Sequence, residues 1–268
     1  MNQAIRIGAV SYLNTKPLVH QLDELAPQVR LVYDLPSRLA DQLARGDLDV
    51  ALIPSVEFLR NPEYTIVSDA CIACRGPVFS VKLYCRVKPQ RIKTLALDEG
   101  SRTSAALVQI LLAERFGLRP TLLPLPIGSS LQDTSADAVL LIGDRAMRTM
   151  DDDYVQVWDL GDVWCRWSEL PFVFAMWTAR SDRVLPGIAG VLTMARDAGL
   201  RSLDAISARE ASGVGLPVQQ CVSYLRDNLY FHLGPRELRG LQLFSEHAAQ
   251  LGLAPLEREI RFHGCEAT

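Results

Sequence analysis

Short polar runs sit at the ends of apolar ones throughout the first half of this chain. Ser11-Tyr12-Leu13-Asn14-Thr15-Lys16-Pro17, Ile53-Pro54-Ser55-Val56-Glu57, Asp98-Glu99-Gly100-Ser101-Arg102-Thr103-Ser104 and Ile142-Gly143-Asp144 each follow such a stretch. Gly76-Pro77-Val78-Phe79-Ser80-Val81 leads into another. Their side chains are hydroxyls, one amide and small groups. The 101–104 run opens the strongest helical segment, where unpaired backbone N–H groups and a partial positive charge suit a carboxylate or phosphate. Together these residue types describe a pocket of neutral donors for a small anion, such as a dicarboxylate. Plain helix capping accounts for the same residues. From spacing alone it is an equal reading for Asn14 and for 101–104, and the better one for Ser55.

Other chemistries lack their residues. The chain has no G-x-S-x-G elbow, Walker loop, H-E-x-x-H helix or G-x-G-x-x-G after a strand. Gly128-Ser129-Ser130 and Gly213-Val214-Gly215 read as loop glycines. His20, His232, His247 and His263 fall in helical or terminal segments and read as structural or solvated. Cys71 and Cys74 have C-x-x-C spacing but no second pair and no nearby His, so they read as core thiols on a strand. No metal and no cofactor is expected.

Alternating strands and helices must position these runs. Strands are expected over 5–10, 29–33, 49–53, 69–74, 78–87, 92–97, 121–125, 138–142, 155–160 and 172–178. Helices are expected over 15–26, 36–45, 101–116, 181–198, 217–231 and 235–251. The nearly all-apolar 49–53 segment reads as a parallel strand covered on both faces. The order argues for an α/β fold with right-handed crossovers. A second sheet embedded after Lys88-Pro89-Gln90, with helices returning after Arg180, suggests two lobes: 1–88 with 180–268, and an inserted 89–179. The pattern around Arg45-Gly46-Asp47-Leu48-Asp49-Val50-Ala51 resembles periplasmic-binding-protein-like lobes of the second type. In such a fold a ligand sits in the cleft between lobes, at the carboxyl ends of strands.

The 268 residues bury about 73% of the extended-chain surface at this mass, enough for a core without disulfides or metals. Formal net charge is −3, which gives no field to attract nucleic acid. No apolar run approaches the length of a membrane span. Met1-Asn2-Gln3-Ala4 lacks the basic start of a signal peptide, so a cytoplasmic protein is expected.

At these residues the chain resembles the chorismate dehydratases of the futalosine route to menaquinone. The resemblance rests on Val10-Ser11-Tyr12-Leu13-Asn14-Thr15-Lys16-Pro17-Leu18, Gly76-Pro77-Val78-Phe79-Ser80-Val81 and Ser101-Arg102-Thr103-Ser104. It continues through Asp137-Ala138-Val139-Leu140-Leu141-Ile142-Gly143-Asp144-Arg145-Ala146 and Leu170-Pro171-Phe172-Val173-Phe174-Ala175-Met176-Trp177. These blocks keep the family's order and span most of the first 180 residues; the tail fits in general character only. Two departures stand out. Ser168-Glu169 replaces an expected Thr-Gly, and Cys165-Arg166-Trp167 is unusually bulky.

The resemblance implies a hydro-lyase that removes water from chorismate to give 3-[(1-carboxyvinyl)oxy]benzoate. It makes Asn14 and Ser80 the expected catalytic positions. The expected substrate contacts are Ser11, Tyr12, Pro54, Ser55, Ser101, Arg102, Thr103, Ser104, Gly143 and Asp144. Two other readings stay open: a non-catalytic cytoplasmic small-anion-binding protein on the same fold, and the sister synthase that cleaves cyclic futalosine. The sister uses a histidine in the inserted lobe, and no His lies between His20 and His232 here.

Overall fold

The computed structural model describes residues 4–148, 154–183, 185–256, 260 and 262. Residues 1–3, Val184 within the expected 181–198 helix, and His263 lie outside them. The chain begins β1 (Ile5–Val10), α1 (Leu22–Leu25), β2 (Val29–Asp34), α2 (Pro36–Arg45), β3 (Val50–Pro54), α3 (Ser55–Arg60) and β4 (Tyr64–Cys74). It continues β5 (Val81–Cys85), β6 (Thr94–Asp98), α4 (Arg102–Phe116), β7 (Thr121–Leu125), β8 (Ala138–Ile142), α5 (Asp144–Arg148), β9 (Gln156–Asp159) and α6 (Leu160–Ser168). It returns through β10 (Phe172–Arg180), α7 (Ile188–Arg201), α8 (Leu203–Val214), α9 (Val218–Ser223), β11 (Tyr230–His232) and α10 (Pro235–Gln250).

Two sheets result. One has six strands in the order β11-β4-β10-β3-β1-β2; the other has five in the order β7-β6-β8-β5-β9. β1 runs parallel to β2 and β3, and β6 runs parallel to β7 and β8. The buried β3 fits its apolar sequence, with β1 parallel on one side and β10 antiparallel on the other. The strands change sheet at residues 75–80 and 169–171. Val81–Cys85 lies ahead of Lys88, yet it pairs antiparallel with β8 and β9 in the five-stranded sheet. Its five residues are all buried, and that sheet offers them a place between two partners.

The largest hydrophobic cluster runs through both sheets, from Ile7 and Leu52 to Leu107 and Leu140. Cys71 and Cys74 are fully buried on β4, and burial pushes both thiols well above their ordinary range. Two expected helices are interrupted. Residues 15–26 form a 3-10 segment, Leu13–Val19, and the short α1, because Pro17 cannot donate an N–H and Gln21 turns left-handed at φ 56°. The expected 217–231 helix ends as a π-helical turn, Tyr224–Asn228, before β11. Gly213-Val214-Gly215 closes α8, with Gly215 as its left-handed cap at φ 74°.

Trp167 packs edge-on to Trp164 and His247, 5.5 and 5.0 Å between ring centres, and does not line the cavity described below. Glu169 is exposed and caps α6 in the left-handed region at φ 59°, where glycine carries no Cβ penalty. Glu169→Gly is therefore expected to raise stability by about 0.5–1 kcal/mol, the relief outweighing glycine's added freedom when unfolded. Urea unfolding measures this; a fall in midpoint would contradict it.

Candidate active site

Residues at or just past the ends of β1, β3, β6 and β8 line one cavity with residues from β4 and β10. Its polar wall is Tyr12, Asn14, Ser80, Ser101 and Ser104; Pro54, Ile72, Ile142 and Phe174 belong to its apolar part. Among the described residues, no Asp, Glu, His, Cys, Lys or Arg lines it.

The loop after β1 is set by its ends. Ser11 N–H donates to the Asp34 carbonyl at 3.2 Å, and Leu13 N–H donates across the sheets to Asp144 Oδ1 at 3.3 Å. Thr15 Oγ1 donates to Asn14 Oδ1 at 3.3 Å, which leaves the Asn14 amide group as a donor. Tyr12 lies flat across Gly143, where a Cβ would come within 2.7–2.9 Å of the ring. Gly143 also has φ 68°, so that turn requires glycine on both counts. Burial raises the Tyr12 phenol well above its usual range, aided by Asp98, so it stays neutral.

Ser80 sits on a strained turn. Its N–H donates to the Val78 carbonyl at 2.8 Å, closing a three-residue turn around Phe79 at φ 65°. Asp159 holds the turn by accepting from Val78 N–H at 2.9 Å and Phe79 N–H at 2.6 Å. Gly143 N–H donates to the Ser80 carbonyl at 2.9 Å. The Tyr224 hydroxyl donates to Ser80 Oγ at 2.9 Å. Tyr224 was not among the expected residues. It lies 144 positions away, inside a segment that reads as ordinary helix.

At the start of α4, Ser101 Oγ accepts from Ser104 N–H at 3.3 Å and donates to Ser104 Oγ at 2.8 Å. Asp98 accepts from Gly100 N–H at 2.9 Å and Ile142 N–H at 3.3 Å, and pairs with Arg145, so it ties β6 to β8. Burial raises the Asp98 and Asp144 carboxyls.

Several expected contacts lie elsewhere. Ser11 is exposed and off the cavity wall, in the bend that follows β1. Ser55 spends its hydroxyl on the Val173 carbonyl at 2.5 Å. Arg102 points away, paired with Asp41 and Glu57 at 2.9 and 3.2 Å. Asp144 holds the Leu13 amide and does not line the cavity. Thr103 Oγ1 accepts from Val56 N–H at 3.2 Å in the buried seam between α3 and α4. Thr103→Val keeps the shape but orphans that amide, so a loss of about 1–3 kcal/mol is expected in chemical denaturation. The flanking cations Lys16 and Arg75 are paired with Glu210 and Glu237 at 3.1 and 2.9 Å.

The fold defines a two-lobed, periplasmic-binding-protein-like protein with a cavity between its two sheets. Solved structures with this fold include a protein of Archaeoglobus fulgidus, at TM-score 0.77 and 16% identity over 94% of this chain and 99% of that one. The periplasmic aliphatic sulphonate binding protein of Escherichia coli is similar too, at TM-score 0.66 and 16% identity over 100% and 96%. Residues 5–250 match the menaquinone biosynthesis family model. A chorismate dehydratase of Thermus thermophilus is 30% identical, over 93% of this chain and 97% of the relative. The chain belongs to the menaquinone biosynthesis family. Among the described residues, no helix is long and apolar enough to cross a membrane.

Proposed function

We propose that this protein is a chorismate dehydratase, a hydro-lyase that converts chorismate to 3-[(1-carboxyvinyl)oxy]benzoate and water. The observation that carries the reading is a cavity of neutral donors with, among the described residues, no ionisable acid or base beyond Tyr12, in a chain of this family. Loss of the ring C3 proton leaves a carbanion conjugated towards the ring carboxylate. Loss of the C4 hydroxyl then makes the ring aromatic. Aromatisation supplies the driving force, so the protein has to orient the molecule and stabilise growing negative charge.

The ring carboxylate is assigned to the start of α4, with the Ser104 hydroxyl, itself held by Ser101, and the backbone amides of Arg102 and Thr103 as donors. In this assignment Thr103 acts through its amide, since its hydroxyl serves Val56. Asn14 and Ser80 hold the enolpyruvyl carboxylate or the departing hydroxyl. That carboxylate is itself the base, which fits a wall with no histidine or carboxylate among its lining residues. The two lobes, one around each sheet, close on the ligand, and the reaction is cytoplasmic.

Incubation of the purified protein with chorismate, followed by chromatography, is expected to yield the aromatic ether with many turnovers per protein. Chorismate bound but recovered unchanged would overturn the reading in favour of a small-anion-binding protein.

A further inference from the structure

Within the segment 217–232, one side chain, Tyr224, reaches Ser80 on the cavity wall. Tyr224 is 1% exposed, and its phenol sits on a π-helical turn, Tyr224–Asn228. Single wide turns of this kind are uncommon and recur at functional sites. The same turn grips the Ser80 loop at two further points. Asn228 Nδ2 donates to the Pro77 carbonyl at 3.0 Å, and the Tyr224 ring packs against Phe79 at 6.1 Å between centres. The cavity's far wall and this turn therefore hold residues 77–80 between them.

We propose that Tyr224 is a positioning residue: by donating to Ser80 Oγ it forces the Ser80 proton into the cavity, towards the substrate oxygen. The proposal rests on the reading of Ser80 as a donor to chorismate. A serine hydroxyl has one proton and two acceptor sites. With one acceptor site taken by Tyr224, Ser80's own O–H is left to point elsewhere, and the cavity is the side it lines. A donor whose direction is already fixed costs no reorganisation when charge develops. The chain Tyr224 to Ser80 to substrate also polarises each bond in turn. Burial raises the Tyr224 phenol far above its ordinary range, so it remains a donor at working pH.

Chorismate turnover by Tyr224→Phe, Ser80→Ala and the double variant tests this. Tyr224→Phe keeps the ring, and kcat is expected to fall about 10-fold with KM changed less than about twofold, the loss of one oriented hydrogen bond. The double variant is expected to match Ser80→Ala within about twofold, because Tyr224 acts only through that hydroxyl. Multiplied losses in the double variant, or wild-type turnover in Tyr224→Phe beside an impaired Ser80→Ala, would overturn the proposal alone. Wild-type turnover in Ser80→Ala would overturn the underlying assignment of Ser80. A 3-fluorotyrosine at position 224 covers poor folding of the Phe variant, since it keeps the ring and hydroxyl and donates more strongly. It is expected to turn over at least as fast as wild type, and a fall to the level of Tyr224→Phe would also overturn the proposal.

Discussion

Asn14→Ala and Ser80→Ala are each expected to lower chorismate turnover by about 10²–10³-fold, the usual cost of losing one preorganised donor to developing negative charge. Both side chains line the cavity, and each has its acceptor oxygen engaged, Asn14 Oδ1 by Thr15 and Ser80 Oγ by Tyr224. In the proposed assignment their N–H and O–H groups are the donors to the ligand. The loss should fall on kcat more than KM, because charge on the substrate grows during the reaction. Folding should hold, since each change removes only a few atoms beside a cavity. The melting temperature separates the two cases. A stable Asn14→Ala or Ser80→Ala with wild-type turnover would end the assignment of that residue.

Gly199→Ala has the largest expected effect on stability, and it acts far from the chemistry. On α7, Gly199 packs against the 3-10 segment Leu13–Val19, and an added Cβ would come 2.0 Å from the Pro17 carbonyl oxygen. In an open helix the change would stabilise by about 0.5–1 kcal/mol. Here the neighbour is backbone rather than a yielding side chain, and overpacking costs about 1–3 kcal/mol or more. The clash wins, and a net loss of about 3 kcal/mol is expected in urea unfolding. Turnover should fall as well, at temperatures where the variant is folded, because the displaced segment carries Asn14. Unchanged stability would mean that α7 and this segment can separate without cost.

Much of the fold was legible in the residues. Pro36 to Gly46, with proline at the first turn and glycine after the last, gave a helix whose ends match the structure. The 101–116 helix was likewise fixed by Ser101 and Gly117. Apolar 138–142 is a central strand of the second sheet. Of what failed, the first had a local cause and the second a distant one. Pro17 and Gln21 broke an apolar stripe that looked continuous, and β11 gains its identity only by pairing with the edge of β4.

By itself, the sequence determined the kind of chemistry: hydroxyls, an amide and a helix start placed after strands, with no motif for a metal, a phosphate cradle or a nucleophile. Tertiary structure decided which of those hydroxyls are free to act. Ser55, Thr103 and Ser80 look alike in sequence, yet Ser55 spends its proton on Val173 and Thr103 turns into the seam with Val56, off the cavity wall, whereas Ser80 lines the cavity and only accepts, from Tyr224. The reason is physical. A hydroxyl has one proton and two lone pairs, and buried ones are satisfied by whatever partner the fold brings near. Those partners lie 118, 47 and 144 residues away, beyond the reach of any local pattern.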